Sequence, residues 1–169
     1  GSRVTKFFLG DFAQNRFEKE LAFYKIYSSH NLPHFISSTS HPEFSITTSF
    51  LKAETPGFLD QTLSGFLTHK DFTEIREAIF HIQNLPDFSL LIHGDLAPHN
   101  IYMTDKRIVL ADWDSYWYTR DSRYRMYDYA FLWSMLDFNE EYLAKLFLEK
   151  ELPDLKMRGL LNDFTFCYQ

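Results

Sequence analysis

The densest chemistry in this sequence is His93-Gly94-Asp95-Leu96-Ala97-Pro98-His99-Asn100, followed twelve residues after the asparagine by Asp112-Trp113-Asp114. Asn100 to Met103 and Arg107 to Ala111 read as two short strands joined by Thr104-Asp105-Lys106, a hairpin. Strands of that length bring their ends within a few ångström of each other, so Asn100 and Asp112 can both offer oxygen to one hard cation. Asp95, five residues before Asn100 on the preceding loop, is placed to accept a proton beside that cation. Standing alone, Asp-x4-Asn is an ordinary loop pattern of turn-forming side chains. The register of Asp112 and the features upstream set this instance apart.

Flanking elements must position these groups. Arg3 to Leu9 reads as a strand closed by Gly10 and Asp11. A helix follows to about Ser29, with Asn15 as N-cap and Glu18 as its capping-box partner. Its inward stripe is Phe17, Leu21 and Tyr24. Glu20, at i+3 from Phe17, falls on that face and turns one carboxylate toward the core side. Phe44 to Phe50 alternates apolar and polar residues as a half-buried strand does, and the connection Lys52 to Gly57, containing Pro56, reads as a hinge. Asp71 to Asn84 is a second amphipathic helix, with Asp71 and Glu74 as a cap pair and Phe72, Ile75, Ile79 and Ile82 as its stripe; Pro86 ends it. From Asp128 onward the pattern is helical in three pieces, 128–137, 139–151 and 153–168, with Pro153 between the last two. Phe7, Phe8, Phe23, Phe80 and Phe131 read as core.

Composition narrows the function classes. Of the 169 residues, 45% are hydrophobic, 24% charged and 18% aromatic, which describes a globular chain of one domain or two small lobes and excludes disorder as its main state. Seventeen Lys+Arg against 23 Asp+Glu give a net charge of -6, and no segment clusters basic residues, so no nucleic-acid partner is expected. The single cysteine, Cys167, forms no intramolecular disulfide, and no apolar run approaches the roughly 18 residues of a membrane span; a reducing, cytoplasmic location without membrane partners is expected. The opening Gly1-Ser2, without methionine, reads as a tag remnant or a cut inside a longer gene. No internal repeat is present.

HGDLAPHN resembles the catalytic loop of the protein-kinase-like fold, H-R-D-L-x-x-x-N, with Gly94 in place of the arginine; Asp112-Trp113-Asp114 occupies the place of the metal-binding D-F-G. The glycine variant resembles the aminoglycoside phosphotransferase and choline kinase group of small-molecule kinases. The resemblance implies an α+β, two-lobe fold. A partial N-terminal nucleotide-binding lobe at 1–52 would carry a small sheet and one helix, and a mainly helical catalytic lobe at 53–169 would carry the catalytic-loop hairpin. It implies Asp95 as catalytic base, Asn100 and Asp112 as magnesium ligands, Lys6 as phosphate clamp held by Glu20, and backbone groups near Leu51 to Ala53 as the adenine contact. It further implies Asp128 as the residue bracing the loop and His93 as a support that orients it. ATP and magnesium are then the cofactors. The substrate is a small-molecule hydroxyl, whether of an aminoglycoside, choline or ethanolamine, a sugar or a nucleoside.

Against the family pattern the chain lacks the Gly-containing strand-turn-strand before the lysine strand and some of the pocket-forming helices after the metal site. It is therefore expected to be a fragment or a reduced homologue. A pseudokinase-like binding or interaction module without turnover is the alternative. A phosphoesterase using His93, Asp95 and Asp112 around two metals is a third reading. Asp114 stands where protein kinases have glycine and has no assigned role. Ser115 to Arg125, with Arg120, Arg123 and Arg125 among Tyr116, Trp117, Tyr118 and Tyr124, is either a substrate wall or a packed segment whose arginines pair locally.

Overall fold

The structure, a computed structural model, describes residues 2–49, 67–104, 107–136 and 141–169. Its first part is strand β1 (Arg3–Phe7), helix α1 (Ala13–Ile26) and strands β2 (Phe35–Thr39) and β3 (Ser45–Ser49), with the strands forming an antiparallel sheet ordered β1-β3-β2. Val4 lies opposite Thr48 and Lys6 opposite Ile46. Successive side chains leave a strand on opposite faces, so Lys6 shares its face with Phe8 and not with Phe7. Phe8 is accordingly buried, whereas Phe7, expected in the core, is 53% exposed.

Helix α1 begins at Ala13, two residues before the expected Asn15 cap, and no side chain caps it. Gly10, at φ +87°, makes the turn, and the Ala13 N–H donates to the Gly10 carbonyl at 3.1 Å. Asn15 therefore lies inside the first turn, and Glu18 accepts from Gln14 instead of closing a capping box. The helix also ends earlier, at Ile26. It buries Phe17, Glu20, Phe23 and Tyr24, while Leu21 is half-buried.

Helix α2 (His69–Gln83) does carry a capping box, but Thr68 is its N-cap. The Thr68 N–H donates to Asp71 at 2.6 Å, and the Asp71 N–H donates to the Thr68 hydroxyl at 3.3 Å. Asp71 is thus the N3 partner and not the cap, and Glu74 lies on the surface beside Lys70. Strand β4 (Leu90–Ile92) follows, then the hairpin of β5 (Ile101–Met103) and β6 (Ile108–Leu110), antiparallel with Ile101 opposite Leu110. Strand β7 (Trp117–Thr119) pairs with β4.

The remaining helices are α3 (Tyr127–Met135), α4 (Glu141–Leu146), α5 (Leu152–Met157) and α6 (Leu161–Tyr168). A π turn, Phe147–Glu151, carries α4 into α5 without the interruption expected at Pro153. Proline sits in the first turn of α5, where its missing N–H leaves no hydrogen bond unmade. The actual break is Gly159 at φ +69°: the Gly159 N–H donates to Lys156 at 3.1 Å and the Leu160 N–H to Leu155 at 2.8 Å, a Schellman ending that needs a residue free to be left-handed.

The chain is α+β: among the described residues, helices pack with three small antiparallel sheets around one hydrophobic cluster that includes Phe8, Phe17, Phe23, Trp113, Trp133 and Phe164. Phe23 of α1 stacks on Trp113 at 4.3 Å between ring centroids, which fastens α1 to the turn following β6. Among the described residues no helix is long and apolar enough to cross a membrane.

Candidate functional site

Lys6, Glu20, Asp112 and Asp114 come together although they are far apart in sequence. The Lys6 ammonium donates to Glu20 Oε2 at 2.6 Å, to Asp112 Oδ1, and to Asp114 Oδ2 at 3.3 Å. Strand alternation aims Lys6 inward, the 3.6-residue period of α1 aims Glu20 at it, and the turn after β6 delivers both aspartates. Asp112 takes a left-handed conformation (φ 66°, ψ 65°), which costs a non-glycine residue about 1 kcal/mol or more and allows its carboxylate and that of Asp114 to face the same ammonium.

Charge and burial oppose each other here. Burial works against the Lys6 ammonium, but Glu20 and Asp112 outweigh it and raise its pKa. Burial raises the Glu20 carboxyl, with Lys6 opposing. Asp114 is also pushed up by burial, yet Lys6 and Arg16 together hold it below the usual carboxylate range. Arg16 reaches Asp114 Oδ2 through Nε at 2.7 Å and a terminal guanidinium nitrogen at 2.5 Å. Sequence reasoning missed Arg16, although its position at i-4 from Glu20 puts the two on one helix face.

A cleft of about 500 Å³ opens over Lys6, Glu20 and Asp112, which line it. One wall is a single sheet face, Val4 and Lys6 of β1 with Ile46 and Thr48 of β3; the hairpin side contributes Asn100 and Asp112. The Asn100 side-chain amide donates to the Asp95 carbonyl at 2.8 Å, which leaves its Oδ1 with no protein hydrogen bond among the described residues. Oδ1 and the three carboxylates are hard oxygen donors, and the carboxylates of Glu20, Asp112 and Asp114 offer oxygens within 4.8 Å of one another. That donor set fits magnesium.

The loop bearing Asp95 is braced from beneath. Asp128, at the start of α3 and buried, accepts the N–H of His93 at 2.9 Å on one oxygen and that of Gly94 at 3.0 Å on the other. Burial raises its pKa, while His93 and the two N–H groups oppose the rise. The His93 ring, fully buried, pairs through Nε2 with the Ala111 carbonyl at 2.8 Å and accepts the Asp95 N–H on Nδ1 at 3.3 Å. Both ring nitrogens are thereby used, and neither remains for a metal, so the phosphoesterase reading loses a ligand. Gly94 has a backbone reason to be glycine: it sits at φ +86°, and an added Cβ would lie 2.6 Å from the Ser115 carbonyl oxygen. Asp95 itself is exposed, and its carboxylate has no hydrogen-bond partner among the described residues.

Leu51 and Ala53, the expected adenine contacts, lie outside the described residues, as do the hinge and the 52/53 boundary. In the aromatic segment Arg123 pairs with Asp121 and Arg125 with Asp163, both at 2.6 Å, and Tyr116 packs on Phe23. Local pairing thus accounts for Arg123 alone, while Arg125 pairs with an acid of α6, 38 residues on. Comparison with known proteins finds no family model that matches this chain and no curated protein similar to it.

Proposed function

We propose that this chain is an ATP- and magnesium-dependent phosphotransferase of protein-kinase-like, two-lobe architecture that moves the γ-phosphoryl group to a hydroxyl of a small molecule. The observation that carries the reading is the meeting of Lys6, Glu20 and Asp112 at the mouth of one cleft beside Asn100. No short-range sequence pattern requires that meeting, whereas phosphate binding beside a hard cation does. Asp112 and Asn100 would hold magnesium, which when bound cancels charge on the phosphate oxygens.

The residues of the chain divide the remaining work. Lys6, kept charged by Glu20, binds phosphate oxygens. Val4, Ile46 and Tyr24 supply apolar surface for a planar base. Asp95 accepts the proton of the acceptor hydroxyl as that oxygen attacks the γ-phosphorus in line; the bond from phosphorus to the β,γ-bridging oxygen breaks, leaving ADP and a phosphate monoester. Asp128 and His93 fix the loop so that Asp95 need not be repositioned during the reaction.

With ATP, magnesium and a panel of aminoglycoside, amino-alcohol and sugar acceptors, ADP release should depend on acceptor. Asp95→Asn should lower turnover by about 10²- to 10⁴-fold with nucleotide affinity nearly unchanged. Undiminished turnover in this variant removes Asp95 from the mechanism. Nucleotide binding without turnover on any acceptor favours the pseudokinase-like binding module.

A further inference from the structure

A second cavity, of about 550 Å³, shares no described lining residue with the cleft over Lys6. It lies between the turn after α1, helix α2 and the β5–β6 hairpin, and its charged and titratable walls are His30, Lys70, Glu74, Glu77, His81 and Arg107. The His30 and His81 rings approach to 4.9 Å between centroids, tilted by 44°. Among the described residues no nitrogen of either ring has a hydrogen-bond partner.

The backbone beneath sets both positions. Asn31, beside His30, is buried; its side-chain amide donates to the Ile108 carbonyl at 2.7 Å, and its own carbonyl accepts the Leu110 N–H at 2.9 Å. The turn bearing His30 is thereby pinned to β6. His81 stands in the last turn of α2, which is fastened to the core by the buried Ile79 and Ile82. Two separately anchored elements therefore deliver the rings to one place.

Imidazole nitrogen suits Zn²⁺, Ni²⁺ and Cu²⁺, whereas Mg²⁺ takes oxygen ligands. A metal about 2.0–2.1 Å from each ligating nitrogen, with a tetrahedral angle between them, puts two imidazole centroids about 5 Å apart. The observed separation meets that requirement. Charge does not oppose a cation here, because Glu74 and Glu77 match Lys70 and Arg107. Glu77 is one helical turn before His81 on the same face of α2. Its side chain is 56% exposed and lies 3.5 Å from Arg158, a surface contact too weak to hold it. Among the described residues only Glu20, Asp112 and Asp114 already bring three donor atoms within 4.8 Å, so the histidine pair gains a third protein ligand when Glu77 turns toward it.

We propose that His30 and His81 form a binding site for Zn²⁺ or a similar imidazole-preferring ion, with Glu77 as third ligand and water completing the shell, and that the ion ties the turn after α1 to helix α2. The proposal does not depend on the phosphotransfer reading.

The test is calorimetric titration of the metal-free chain with Zn²⁺ in millimolar Mg²⁺, which occupies oxygen sites. The wild-type chain should bind Zn²⁺, and its melting temperature should rise. His30→Ala and His81→Ala should each weaken the binding at least about tenfold and lose the rise. Both histidines are exposed, so the metal-free melting temperature should stay as it is in either variant. Glu77→Gln should weaken binding by about two- to fivefold. Asp112→Asn should bind Zn²⁺ as the wild-type chain does; loss of binding there would assign the ion to the acidic cluster and overturn the proposal. No Zn²⁺ binding, or affinity that both histidine variants keep, reduces the ring contact to packing and equally overturns it. Unchanged affinity in Glu77→Gln overturns the third ligand. A chain that does not bind ATP defeats the phosphotransfer reading and leaves each of these outcomes decisive.

Discussion

The Lys6 cluster and the cluster around Arg76 are made of the same materials, yet they hold charge in different ways. Arg76 of α2, fully buried, lies 3.5 Å from Glu151 of the π turn, is bonded to Asp154 of α5, and sits 5.5 Å above the Tyr129 ring. Tyr129 donates to Glu151 at 2.5 Å, His69 pairs with the other Glu151 oxygen, and Arg158 reaches Asp154 at 3.0 Å. Two arginines thus face two buried carboxylates, with the exposed Glu77 3.5 Å from Arg158 as a third acid, and every partner belongs to the helices being tied. The Lys6 cluster has one more carboxylate than it has cations, and it opens on a cleft. Burial of charge alone therefore does not mark a functional site here. What sets the Lys6 cluster apart is that it opens on a cleft with access for a ligand.

This contrast gives tests of decreasing size. Arg76→Met keeps the volume but leaves Glu151 and Asp154 without their shared cation, so the chain should lose about 3–5 kcal/mol by denaturant unfolding, with nucleotide binding intact below the transition. If Arg76→Met instead abolished nucleotide binding in the folded protein, the division between a structural and a functional cluster would be broken. A smaller effect belongs to pH. Asp114 has its pKa lowered in the folded chain, so its ionisation contributes stability that is present above the ordinary aspartate value near 4 and lost as pH falls through the lower folded value. Between neutral pH and the acid limb, wild-type stability should therefore fall by about 1 kcal/mol more than that of Asp114→Asn. Parallel acid limbs would show that Lys6 and Arg16 do not hold Asp114.

Much of the site was legible because local periodicity aims its side chains. Two-residue alternation turned Lys6 inward, the 3.6-residue period turned Glu20 toward it, and hairpin closure brought Asn100 and Asp112 together. The same alternation places Phe7 on the solvent face, against the burial that its apolar character suggests. Strands β2 and β7 were missed. β2 is mostly polar and only partly buried, and β7, Trp117–Thr119, is defined by its long-range pairing with β4 and not by its own pattern. Arg16, the double use of His93 and the whole Arg76 cluster lie beyond sequence reasoning for a related cause: their partners are brought near by tertiary packing. Pro153 misled because proline reads as a breaker, although the first turn of a helix accepts it.

The most direct test of the central claim is thermal unfolding of the intact chain with ATP and magnesium, alone and together, compared with the Lys6→Met variant. At a hundredfold excess over Kd, ATP with magnesium should raise the wild-type melting temperature by roughly 5 to 10 °C, more than either does alone, and Lys6→Met should lose most of that rise. No shift in the wild-type chain, or an equal shift in Lys6→Met, would contradict the assignment of this cleft as a nucleotide phosphate site.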